Sequence, residues 1–106
     1  MSIDTNDNDF AILLHNKAIS KDLIFQTQVG LCYLYGYGIE KNYAEAMKWT
    51  KSAAEQGYFR AQFSMGRMFY NGLGVDINYE EAVKWYTRSA NQGYAVAQNN
   101  LTRCAR

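Results

Sequence analysis

Residues 25–60 read FQTQVGLCYLYGYGIEKNYAEAMKWTKSAAEQGYFR, and residues 61–96 read AQFSMGRMFYNGLGVDINYEEAVKWYTRSANQGYAV. Laid over each other without a gap, 14 of the 36 positions are identical, far beyond what shared composition would give. The chain therefore carries a tandem duplication, and a period of this length is the signature of a stacked repeat architecture. Gly30, Gly36 and Gly38 recur as Gly66, Gly72 and Gly74, and Asn42, Tyr43, Glu45, Ala46, Lys48 and Trp49 recur as Asn78, Tyr79, Glu81, Ala82, Lys84 and Trp85. Gln56, Gly57 and Tyr58 recur as Gln92, Gly93 and Tyr94.

Each unit parses as helix, loop, helix, tight turn. A first helix is predicted over about 25–35 and again over about 61–70, stopped by the Gly-x-Gly loops, whose residues tolerate positive φ. Asn42 and Asn78 sit where a side-chain oxygen can cap free amides. Glu45 and Glu81, three residues on, complete an Asn variant of the capping box. Second helices follow over about 43–56 and 79–92, with Tyr43, Ala46, Met47, Trp49, Ala53 and Ala54 as an apolar stripe at helical spacing. Gly57 and Gly93 read as left-handed helix ends.

The register runs past the two copies. Asn6 and Asp9 fall where Asn42 and Glu45 fall, and Ala97-Gln98 repeats Ala61-Gln62. The expected organisation is a half-repeat capping helix over 1–24, full repeats over 25–60 and 61–96, and a half-repeat helix over 97–106. That makes about six helices, near the practical minimum for units that bury their faces only by stacking.

These residues resemble the Sel-one-like repeat family, a relative of the tetratricopeptide repeats. Its pattern, Ala-x3-Leu-Gly-x2-Tyr-x2-Gly-x-Gly-Val followed by Ala-x2-Trp-Tyr-x2-Ala-Ala-x2-Gly, is met by Ala61, Met65, Gly66, Phe69, Gly72, Gly74 and Val75, then by Ala82, Trp85, Tyr86, Ala90 and Gly93. The first copy departs at Phe25 and Thr50, and the last half-copy has Thr102 in place of the helix glycine. The resemblance implies an all-α, right-handed solenoid of αα-hairpins, a tetratricopeptide-like superhelix whose concave surface serves as a scaffold for other proteins. It implies no catalysis.

Composition narrows the function classes. The 106 residues carry 11 basic and 10 acidic side chains, a formal net charge of +1, too balanced for a dedicated nucleic-acid binder. The longest uncharged stretch, residues 23–39, holds three glycines and is short for a membrane span. Met1–Asp9 is polar and acidic with no secretory signal pattern, so a cytoplasmic location is expected. The lone His15, read as a polar position on the first helix, leaves metal clusters and histidine-based catalysis little to draw on. No catalytic residue, metal site or cofactor is expected. Cys32 and Cys104 lie two whole repeats apart, so stacked helices about 8–10 Å apart separate them too far for a disulfide, which needs Cα atoms within about 7 Å. Reduced thiols follow. Trp49 and Trp85 read as core wedges between layers.

Subtracting the positions shared between copies leaves a set concentrated on the first helices. By analogy with the tetratricopeptide concave face, the groove-lining residues are Thr27, Leu31, Leu34 and Tyr35 in the first copy. Arg60, Phe63, Arg67, Tyr70 and Asn71 follow in the second, then Asn99 and Arg103, with Arg106 beyond them. Four of the five arginines fall on this set. A groove apolar at one end and arginine-rich at the other suits a protein segment, a peptide or loop with acidic and hydrophobic residues. The plainer readings are that Arg67 pairs with a nearby Glu and that Leu31 packs on the N-terminal helix. The expected role is a non-enzymatic interaction module, an adaptor or an immunity partner of a bacterial effector. The alternative is a structural protein whose end layers self-associate, so that the chain is a monomer or a weak homo-oligomer.

Overall fold

A computed structural model describes residues 22–104. Five helices follow in chain order: α1 (Leu23–Tyr35), α2 (Tyr43–Glu55), α3 (Phe59–Asn71), α4 (Tyr79–Ala90) and α5 (Ala95–Cys104). Each packs chiefly on its neighbours in the chain, giving two helical hairpins and a closing helix in an all-α hairpin solenoid. Of the predicted N-terminal half-repeat over 1–24, residues 1–21, with His15, lie outside the described residues, as does Arg106 at the other end; Asp22, Leu23 and Ile24 instead begin α1.

The helix ends follow from local chemistry. α1 starts two residues earlier than its apolar pattern suggested, because Asp22 Oδ1 accepts the amides of Ile24 (3.0 Å) and Phe25 (3.4 Å). Gly36 and Gly72 end the first helices at φ 74° and 69°, a left-handed conformation that a Cβ would strain. Gly57 and Gly93 close the second helices at φ 100° and 91°. Asn42 and Asn78 cap α2 and α4, their Oδ1 atoms accepting the Glu45 and Glu81 amides at 3.1 Å.

Only half of the expected capping box forms. The Asn42 and Asn78 amides donate instead to the Tyr33 and Phe69 carbonyls at 2.9 Å, folding each loop back on the helix before it. The glutamates are thereby released to other partners. Glu45 accepts the Trp49 indole N–H at 3.2 Å, and Glu81 pairs with Lys84 at 3.3 Å.

Small residues let the helices approach closely. Ala46, Ala53, Ala54, Ala61, Ala82 and Ala97 are all essentially inaccessible to solvent. Trp85 packs on Ala53, Ala54, Ala61 and Met65, a cluster drawn from both hairpins, with the Arg88 guanidinium 4.6 Å from its ring centre. Trp49, half-buried, packs on Val29 and Cys32. Both cysteines are free; burial pushes both thiols up, and Cys32 is the more buried of the two.

A polar strut, repeated once per unit, crosses from first to second helix. Gln26 Oε1 accepts from Ser52 Oγ (3.0 Å) and Gln56 Nε2 (3.4 Å), and Gln62 Oε1 accepts from Gln92 Nε2 (2.9 Å). Gln62, 5% exposed, also donates to the Ala54 carbonyl, and Gln92 to that of Gly57. The two shared glutamine pairs are thus explained as hydrogen-bonded braces, and among the described residues no buried side-chain nitrogen or oxygen lacks a partner.

Candidate functional site

One face of α1, α3 and α5 carries residues at i, i+3/i+4 and i+7 spacing, and two adjoining hollows open along it. The first lies between α1 and α3 and encloses about 210 Å³. Ile24, Gln28, Leu31 and Tyr35 form one wall, with Thr27 at its base; Arg60, Phe63, Ser64 and Arg67 form the other, and Tyr58 and Tyr94 reach in from the turns. The second, of about 230 Å³, is lined by Arg67, Tyr70 and Asn71 of α3, Tyr86 of α4, and Asn100 and Arg103 of α5. Arg67 belongs to both and divides them. Its Nη1 donates to the Tyr35 hydroxyl at 3.0 Å, so this arginine spans the two hairpins rather than pairing with a glutamate.

The floor is aromatic. Phe63 meets Tyr94 edge-on at 5.3 Å and Tyr86 at 5.6 Å, and Phe59 meets Tyr94 at 5.0 Å. The Arg60 guanidinium lies 5.7 Å from the Phe59 ring and 5.9 Å from the Tyr94 ring. Such rings offer large, rigid contact area at small entropic cost. Tyr86 is 2% exposed. Burial pushes its phenol above the ordinary value, with smaller contributions from Asn100 and Arg67 in the opposite direction.

Most of the residues expected on the groove come together here. Thr27, Leu31, Tyr35, Arg60, Phe63 and Arg67 line the first hollow, and Arg67, Tyr70, Asn71 and Arg103 the second. Thr27 is nearly inaccessible and donates to the Leu23 carbonyl at 2.8 Å, so it contributes floor rather than wall.

Two expectations are corrected. Leu34 is 3% exposed and belongs to the core with Ala46 and Met68, because at this position a branched aliphatic side chain turns inward. The larger Tyr70, its counterpart in the second repeat, reaches outward and leans on Tyr79 at 5.1 Å. Asn99 is exposed and lines neither hollow; its neighbour Asn100 does.

Tyr58, Tyr94 and Tyr86 were missed by the subtraction of shared positions. The first two are identical between copies, which reads as a fold position, yet they also line the groove. Tyr86 replaces Thr50 on a second helix, and that difference was the available signal.

Among the described residues no group of three or more His, Cys, Asp or Glu side chains could hold a metal ion. No described helix is long and apolar enough to cross a membrane.

With this geometry in hand, comparison with known proteins is specific. The Sel1 repeat family matches residues 24–58 and 59–94. The chain is similar to the crystal structure of c5321, a protective antigen present in uropathogenic Escherichia coli strains and displaying an SLR fold, at 33% identity and a TM-score of 0.87 over 91% of this chain. It is also similar to a Sel1 repeat protein from Oxalobacter formigenes, at 31% identity and a TM-score of 0.84, again over 91% of this chain. The match spans 21% of the first protein and 39% of the second, so both are considerably longer than the region they share with it. No curated protein matches the chain.

Proposed function

Since this chain belongs to the Sel1 repeat family, whose members generally mediate protein–protein interaction and are typically non-enzymatic scaffolds, we propose that it binds a segment of another protein along the face of α1, α3 and α5. The observation that carries this reading is the pair of adjoining hollows, aromatic-floored, sharing Arg67 and running along the first helices. Apolar anchors would enter beside Leu31 and Phe63, and acidic groups would face Arg60, Arg67 and Arg103. The role is that of an adaptor, or of an immunity partner to an effector, in a cytoplasm that keeps Cys32 and Cys104 reduced.

The test is affinity capture with two charge-altered baits of confirmed fold. Tyr35→Ala/Arg60→Glu changes exposed groove residues, whereas Lys51→Glu/Lys84→Glu changes exposed residues of the second helices. The first should lose the partner and the second keep it. Equal retention by both would remove the groove from the account.

A second reading, self-association, rests on one observation. Tyr79 and Val83 are 57% and 37% exposed, whereas Tyr43 and Met47 at the same repeat positions pack against Leu34, Ala46 and Met68. Sedimentation velocity separates the two readings, since a monomer at high concentration excludes association through that end.

A further inference from the structure

We infer that the hollow between α3 and α5 is a site for a single carboxylate, presented by an acidic side chain or chain end of the bound segment between Arg67 and Arg103. The inference deepens the groove reading and rests on it for the source of the carboxylate, while the site itself stands on its own geometry.

The lining is unusual in sign. Six side chains surround the hollow, and they supply two guanidiniums, two amides and two phenols, with no carboxylate among them. Among the described residues the one side-chain ion pair joins Lys84 to Glu81, so neither Arg67 nor Arg103 is neutralised by an acid. Arg67 commits Nη1 to Tyr35 and keeps its remaining N–H groups, and Arg103 makes no side-chain hydrogen bond among the described residues. The Asn71 side-chain amide donates to the Arg67 carbonyl at 3.1 Å, tying the last turn of α3 to the residue that carries this guanidinium. A planar guanidinium fork matches a carboxylate's two oxygens.

The charge balance selects a monoanion. Tyr70 and Asn71 of the lining stand in the last turn of α3, with Arg67 one turn further back, and Arg103 stands in the last turn of α5. Each helix C-terminus contributes a partial charge of about −0.5, so two guanidiniums leave a local excess of about one positive charge. That excess fits one carboxylate better than a phosphate dianion. The α5 dipole would stabilise Arg103 without any ligand, whereas Arg67 stands before the last turn of α3. That dipole does not explain why both arginines line one hollow with no acidic partner among the described residues.

The test uses the intact protein and a free probe, N-acetylglutamic acid amide, which bears one carboxylate. NMR titration follows the arginine Nε–H signals and the backbone amides of residues 67–71 and 100–103. Saturable shifts confined to these groups are expected, with no such response to the neutral isostere N-acetylglutamine amide. Arg103→Gln should weaken the probe about tenfold or more, as loss of a charge-assisted pair does. Affinity should also fall as ionic strength rises from about 0.02 M to about 0.2 M. Equal binding of the neutral isostere, indifference to Arg103→Gln, or tighter binding of the dianionic phosphoserine analogue would each overturn the assignment. Since the probe needs no protein partner, its failure leaves the groove to be judged by the capture experiment. Loss of the groove in that experiment would, conversely, leave a positive titration standing.

Discussion

Gly66→Ala should destabilise the protein even though alanine is the better helix former. A Cβ built on Gly66 would stand 2.5 Å from Cδ1 and Cε1 of Tyr86 and 3.0 Å from its Cγ. Ordinary carbon contacts lie at about 3.5–4.0 Å, so the ring or the helices must yield by about 1 Å. Neither yields easily. The Tyr86 ring is buried and lies against Phe63, and α4 is held to α3 by the Ser89 hydroxyl donating to the Phe59 carbonyl at 2.8 Å. Overpacking of this kind costs about 2–3 kcal/mol, against about 1 kcal/mol gained from helix propensity. The net loss is therefore about 1–2 kcal/mol, read as a lower urea midpoint at unchanged slope.

The sign should reverse once the ring is gone. In a Tyr86→Ala background, itself about 3–5 kcal/mol weaker and studied with a stabilising osmolyte, Gly66→Ala should add about 1 kcal/mol. The cycle then yields a coupling of about 2–3 kcal/mol. A stabilising Gly66→Ala in the natural background, or additive single changes, would refute the claim that this glycine exists to admit the Tyr86 ring.

Three further outcomes follow from the same structure. Gln62→Met removes a buried brace with its hydrogen bonds to Gln92 and to the Ala54 carbonyl, which keeps the Gly57 amide, so it should cost about 1–2 kcal/mol in urea melts. Gln98→Met, at the equivalent but exposed position, should change stability by less than about 0.5 kcal/mol. Alkaline pH should weaken the fold through Tyr86. Its folded phenol is raised by burial, so the stability it contributes is intact below the unfolded value of about 10 and is lost as pH rises through the folded one. Between about pH 9 and 11 the natural protein should lose more stability than Tyr86→Phe. A thiol reagent near neutral pH should modify the partly exposed Cys104 before Cys32, which is 6% exposed and should react only as the fold opens, as peptide mapping would show.

The gapless repeat made the helices legible because it is written in residues with one local meaning. Asn42 and Asn78 cap where the spacing requires, and Gly36 and Gly72 stop helices where only a left-handed residue can. Interactions between units were less legible. Leu34 and Tyr70 hold the same register position, but one turns into the core and the other out to the groove, since side-chain size and the facing residue decide the direction. The half-made capping box has a similar cause, because the Asn42 amide finds Tyr33 across the loop before it can find Glu45. Tyr58 and Tyr94 show the limit of treating shared positions as structural. A residue that repeats can pack a turn and line a surface groove at once.

The central claim is that the face of α1, α3 and α5 receives a protein segment, and cross-saturation NMR of the captured complex tests it most directly. Saturating an unlabelled partner's protons should attenuate Leu31, Tyr35, Phe63 and Arg67 while leaving Lys51, Val83 and Lys84 untouched. Attenuation centred on the second helices, with Leu31 and Phe63 unaffected, would contradict the account.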